Sequence, residues 1–137
     1  MWGIHMFCYA TTVKLHDTDA AGLLFFGHQF RIAHDAYESL MTEIGFSFAR
    51  ILRRESFFIP IAHAEADFKR ALFVGDSLTV ELTVEKLGDS SFTLAHRLLA
   101  ADGGEAGTVK TVHVCVDRET QRPTPIPPSL REKLAKV

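Results

Sequence analysis

The chain has 137 residues, 47% of them hydrophobic and 23% charged, the make-up of a globular chain long enough to bury a core without disulfide or metal staples. A formal charge of -2 leaves no basic footprint for nucleic acid, and no segment approaches the roughly 18 apolar residues of a membrane span. Cys8 and Cys115 form no C-x-x-C pair, so neither a disulfide framework nor a zinc ribbon is expected, and a reducing, cytoplasmic setting is favoured.

The first ten residues, "MWGIHMFCYA", lack the basic start and sustained apolar run of a secretory leader. The next stretch, "YATTVKLHD", reads as a strand and runs into Asp17-Thr18-Asp19, then the small-residue turn Ala20-Ala21-Gly22. After the apolar "LLFFG" comes the one long helical pattern, "HQFRIAHDAYESLMTEIG". There Phe30, Ala33, Tyr37, Leu40 and Ile44 recur at helical spacing, opposite a polar face of Arg31, Asp35, Glu38 and Thr42. Gly45 is placed to end it. "FIPIAHAEADF" reads as a strand whose start or edge position is marked by Pro60, with His63 on the face shared by Ile59, Ile61 and Glu65. "DSLTVELTVEK" alternates strictly and reads as a half-buried strand. "SFTLAHRLLAA" and "GTVKTVHVCVD" follow, joined by an Asp102-Gly103-Gly104 hairpin turn, the last with Val112, Val114 and Val116 on one face. From about residue 123 the chain is proline-rich and reads as a surface tail, in which Leu130 and Leu134 share one face of a final helical turn or two. The whole, 1–137, is expected to be one domain. Strand, long helix and four more strands predict an α+β arrangement, one antiparallel sheet curled around one helix.

Asp17 and Asp19 raise the question of a metal. An EF-hand loop requires oxygen ligands at positions one, three, five and twelve, with glycine at six. Counted from Asp17, the fifth position is Ala21 and the twelfth is His28. No His or Cys spacing for zinc accompanies the pair, so no metal is expected. Asp17 reads as a strand-ending turn former. Asp19 differs, because it stands before a helix start whose unpaired N–H groups and partial positive charge suit a carbonyl oxygen that gains charge.

D-x-D-x-x-G, the aliphatic pair, the aromatics and the helix "FRIAHDAYESL" together resemble the hotdog-fold acyl-CoA thioesterases of the 4-hydroxybenzoyl-CoA thioesterase type. "HDAYES" and "IPIAHAEADF" are most similar to the 1,4-dihydroxy-2-naphthoyl-CoA thioesterases of menaquinone and phylloquinone synthesis. The resemblance runs from about Tyr9 to Asp117. It implies a hotdog fold, an antiparallel five-stranded sheet wrapped around one long helix, and hydrolysis of an aromatic acyl-CoA without a cofactor. Asp19 is then the nucleophile or general base, and the Phe26 backbone N–H polarises the thioester carbonyl. Phe26 stands where short-chain relatives carry His, which argues against that branch. Gly27 and His28 at the helix start, His63, Lys86, and Ser91 of the Ser-Phe pair are the candidate substrate-binding residues. Gly88 and Asp89 replace cations that hold CoA phosphates in the 4-hydroxybenzoyl enzyme. Lys69 and Arg70, ending a strand, are further cations that could meet phosphate or simply be solvated. His34 reads as a hydrogen-bonded structural histidine and His96 as a packed or interface one. One helix cannot cover both faces of such a sheet or protect its edges, so self-association is expected. The resemblance implies a homodimer or homotetramer joined edge to edge, with acyl-CoA bound where subunits meet. A non-catalytic hotdog module that binds acyl-CoA or acyl carrier protein, or a short-chain acyl-CoA thioesterase, is the alternative.

Overall fold

The computed structural model describes residues 6–137; the leader reading of the first ten residues lies, for residues 1–5, outside them. Strand β1 (Phe7–Thr12) leads through a 3-10 turn at Leu15–Asp17 into α1 (Phe26–Glu43). Short α2 (Phe48–Arg54) and β2 (Phe57–Phe58) precede β3 (Ile61–Phe68), β4 (Ser77–Leu87), β5 (Ser91–Ala100) and β6 (Glu105–Val114). β7 (Val116–Asp117) pairs with β2, and α3 (Pro128–Leu134) ends the chain.

The sheet order is β1-β4-β5-β6-β3, antiparallel throughout. Two-residue alternation explains it. β4 buries Leu78, Val80 and Leu82, and β5 buries Phe92, Leu94, His96 and Leu98. These faces curl around α1, which buries Ile32, Ala33, Ala36, Tyr37, Leu40 and Met41. This is the five-stranded hotdog arrangement that the sequence predicts. The short α2 escapes the sequence reading, although Ser47 Oγ accepts the Arg50 N–H as an N-cap at 3.2 Å. Among the described residues no helix is long and apolar enough to cross a membrane.

Three features depart from expectation. A β-bulge separates Ile61 from His63: Ile61 pairs with His113, yet His63 pairs with Val112. One extra residue, Ala62, reverses the pleat. Ile61, Ala64 and Ala66 therefore face α1, while His63 and Glu65 face outward, so His63 does not share a face with Ile61. In β6 the buried side carries Val109, Thr111 and His113, and the valines at 112 and 114 lie on the half-exposed outer side. The proline-rich segment is no surface tail. Ile126, Leu130 and Leu134 are buried core, and Arg131 donates to the carbonyls of Gly88 and Asp89. Prolines here stop strand continuation while leaving the i, i+4 leucines free to plug the end of the sheet. Leu130→Ala should cost roughly 3 kcal/mol in urea unfolding. A change near zero would mean that α3 does not pack as described.

Two histidines are part of this core. His96 donates its Nδ1–H to the Val109 carbonyl at 3.1 Å, and burial pushes its pKa down from 6.5 to about 4. Burial, with the nearby His96 and His34, pushes His113 down to about 3. Because both folded values lie below the unfolded 6.5, acid protonates the unfolded chain first. Stability should fall as pH drops below the unfolded value and level off once the folded values are passed. Each histidine contributes about 1.4 kcal/mol per pH unit in that window. Urea midpoints compared at about pH 7 and about pH 5 read this directly, and equal midpoints would contradict the buried neutral pair.

Candidate active site

The site is built around the entry to α1, and Asp17 is its anchor. Asp17 is 1% exposed. Its Oδ2 accepts the Lys14 N–H at 2.8 Å, and its Oδ1 is paired with Arg31. Its carbonyl accepts the Phe25 N–H at 3.0 Å and the His28 Nδ1–H at 3.0 Å. One residue thus ties the strand end to the first turn of the helix, in line with its reading as a turn former.

Asp19 faces the other way. Its Oδ1 accepts the N–H groups of Ala21 at 2.8 Å and Leu23 at 3.1 Å, which fixes the carboxylate against the turn and leaves Oδ2 without a bond to any described residue. The turn needs glycine: Gly22 has φ +82, a left-handed conformation that costs L-residues. Its carbonyl accepts the Val74 N–H at 2.9 Å, and Leu24 N–H reaches Leu72 O at 2.8 Å, so the loop is clipped to the segment after β3.

Asp19 and Phe26 share a cleft of about 610 Å³, whose other walls include Phe25, Gln29, Phe68 and Leu72. Phe26 is the first residue of α1; the N–H groups of Phe26 and Gly27 belong to the first turn, where no intrahelical acceptor exists, and the dipole of an 18-residue helix adds positive potential there. Phe68 packs edge-on against Phe26 with ring centroids 6.2 Å apart. Gln29, 3% exposed, donates to the carbonyls of Asp67 at 3.0 Å and Thr108 at 3.1 Å, pinning α1 to β3 and β6. That approach requires Gly107, where a Cβ would lie 2.7 Å from Gln29 Nε2 and 2.8 Å from the Asp67 carbonyl.

Lys69 and Arg70 line the same cleft. Lys69 pairs with Glu105, and Arg70 makes a two-pronged contact with Asp102 at 2.9 Å for each bond. The Arg70 guanidinium pulls the Asp102 carboxyl down to about 2. Sequence does not join these residues with Gln29 and Phe68 into one site, because the start of α1 and residues 68–72 are brought together only by the fold and no local motif joins them.

The remaining candidates are elsewhere in the subunit. His28 is committed to the Asp17 carbonyl and does not line the cleft. His63 is exposed on the outer face, 3.0 Å from Glu65, and sits about 16 Å along β3 from Phe68 at the usual strand rise. Lys86 and Ser91 flank the β4–β5 turn, where Gly88 N–H donates to Ser91 O at 2.8 Å. That turn is about 30 Å along β4 from its Ser77 end, beside which the Asp19 loop lies. Within one subunit these three residues do not meet Asp19.

Comparison with known proteins gives the family and the fold. The family model of the thioesterase-like superfamily matches residues 13–134. The chain is 36% identical over 128 residues to a 1,4-dihydroxy-2-naphthoyl-CoA hydrolase of Rippkaea orientalis, covering 92% of this chain and 93% of that protein. It superposes with a TM-score of 0.90 on the crystal structure of a 1,4-dihydroxy-2-naphthoyl-CoA thioesterase from Synechocystis, at 28% identity over 96% of this chain and 97% of the other. A gentisyl-coenzyme A thioesterase superposes with a TM-score of 0.84 at 28% identity, over 93% and 98% of the two chains.

Proposed function

The chain belongs to the thioesterase-like superfamily, and on that premise we propose that it hydrolyses an aromatic acyl-CoA, 1,4-dihydroxy-2-naphthoyl-CoA or a close analogue, to the free acid and CoA. The observation that carries the reading is the shared cleft: a carboxylate fixed by two backbone N–H groups and the first residue of α1 line the same space. The acyl groups named for the relatives above are hydroxylated aromatic rings, and Phe25, Phe26 and Phe68 give this cleft an aromatic lining.

In this reading the Phe26 N–H donates to the thioester oxygen, and charge that builds on that oxygen is stabilised there. Asp19 either attacks the carbonyl carbon or takes a proton from an attacking water. In both routes the C–S bond breaks and CoA departs as a thiolate, which is then protonated; direct attack leaves the acyl group on Asp19 as a mixed anhydride, which water hydrolyses to the free acid and the regenerated carboxylate. Lys69 and Arg70 are the cations of this subunit placed at the cleft for the CoA phosphates. His63, Lys86 and Ser91 reach substrate only from a partner subunit. The support for such a partner is β3, an edge strand exposed along nearly its whole length. Two copies paired through β3 form one continuous sheet, in a homodimer or a homotetramer. We read the chain as one hotdog domain that includes the segment after residue 123, working in the cytoplasm with Cys8 and Cys115 as free thiols.

Thiol release measured across aryl-CoA and short-chain acyl-CoA substrates tests the proposal. The expected result is a higher kcat/KM for the aryl substrates. Preference for short chains would contradict the substrate class, and binding of aryl-CoA without any thiol release would identify a non-catalytic module.

A further inference from the structure

A second cavity, of about 140 Å³, lies between α1 and the edge of the sheet. Its walls include Phe30 and Tyr37 of α1, Ile61 and Ala64 of β3, and His96 and His113 of the sheet floor. Three of these residues carry a buried polar atom with no partner among the described residues: the Tyr37 hydroxyl, His96 Nε2 and His113 Nδ1. All three residues are at most 2% exposed. Buried polar groups are nearly always paired, so three orphans around one small space point to a guest that supplies hydrogen bonds.

The identity of the atoms narrows the guest. His96 gives its Nδ1–H to the Val109 carbonyl, so the neutral ring presents Nε2 as a bare acceptor. His113 Nε2 is bonded to the Thr111 hydroxyl at 2.7 Å, and the Tyr37 hydroxyl can donate or accept. An aliphatic acyl chain would leave all three unpaired, whereas a phenolic hydroxyl can satisfy both a donor and an acceptor. The walls are aromatic as well. Tyr37 and His113 rings lie 4.2 Å apart, and Phe92 stacks on His113 at 5.0 Å. A cavity of about this size accepts a single benzene ring.

The cavity also stands where an acyl ring would arrive. Phe26, Phe30 and Tyr37 lie on one stripe of α1, with Phe30 about 6 Å beyond Phe26 along the helix axis. The β3 side of that path is lined by Ala64 and Ala66, which the bulge at Ala62 turns inward opposite the buried Thr111 and Val109. Without the bulge, outward-facing His63 and Glu65 would occupy that face.

We propose that this cavity receives the hydroxyl-bearing ring of the aromatic acyl group, with Tyr37, His96 and His113 as the residues that select a ring hydroxyl. This rests on the aryl-CoA hydrolysis proposed above. The test compares kcat/KM for 4-hydroxy-2-naphthoyl-CoA and 2-naphthoyl-CoA in the wild type and in Tyr37→Phe. The wild type should favour the hydroxylated substrate, and Tyr37→Phe should reduce that ratio roughly tenfold. A ratio unchanged by the substitution would overturn the proposal, whatever happens to the absolute rates. The free acid, 4-hydroxy-2-naphthoate, separates the two ideas. If the wild type releases thiol from neither aryl-CoA, the hydrolysis reading fails. The cavity is then judged by calorimetric binding of the acid, which should weaken in Tyr37→Phe and in Ala64→Leu, a substitution that fills the space without touching a polar group. Equal binding by all three proteins would remove the cavity as the ring site.

Discussion

Asp19→Asn should lower thiol release from an aryl-CoA by roughly 10²–10⁴-fold while leaving the protein folded. The asparagine side-chain oxygen can still accept from the Ala21 and Leu23 N–H groups that hold Asp19 Oδ1, so the turn keeps its bonds. The exposed position adds little to stability; a change within about 0.5 kcal/mol is expected. What is lost is the anion that attacks the carbonyl or activates water, and an amide does neither. Asparagine turning over at the wild-type rate would remove Asp19 from the chemistry and leave the helix start without its partner.

The neighbouring Asp17→Asn should give the opposite profile: a loss of about 3 kcal/mol of stability, read by urea unfolding. Asp17 is buried against the half-exposed Arg31, and removing its charge leaves a guanidinium that must be resolvated or stay unpaired. Half exposure of Arg31 softens the penalty relative to a fully buried pair. Activity should fall only as far as the entry to α1 loosens, because the same residue holds Phe25 and His28. A variant as stable as the wild type would show that Asp17 is not the anchor. Together the two substitutions separate residues that lie two apart in sequence: one costs turnover, the other costs fold.

Much of the architecture was legible because its signals are local. The alternation in β4 and the helical spacing of Tyr37 and Leu40 each follow from one segment's period, and the D-x-D-x-x-G turn identified the loop that now holds Asp19 against the cleft. Other features were hidden for physical reasons. The bulge at Ala62 changes a face without any turn residue to mark it, so alternation groups His63 with Ile61 although the two lie on opposite faces of β3. In β6 two equally plausible faces alternate, and the buried one carries Thr111 and His113 because His113 packs between Tyr37 and Phe92. The final helix was legible from the spacing of Leu130 and Leu134, but proline density disguised its burial, and both leucines belong to the core. The cleft walls formed by Gln29, Phe68, Lys69 and Arg70 depend on tertiary approach, including the space left by Gly107, and no local pattern encodes that.

The most direct measurement is a crystal structure with an aryl ketone analogue of the substrate, in which a methylene separates the carbonyl from the CoA sulfur so that hydrolysis cannot proceed. The predicted complex has the ketone oxygen within hydrogen-bond reach of the Phe26 N–H and the Asp19 carboxylate about 3–3.5 Å from the carbonyl carbon, or one water away. A ketone bound away from the start of α1, with Asp19 facing only solvent, would contradict the account.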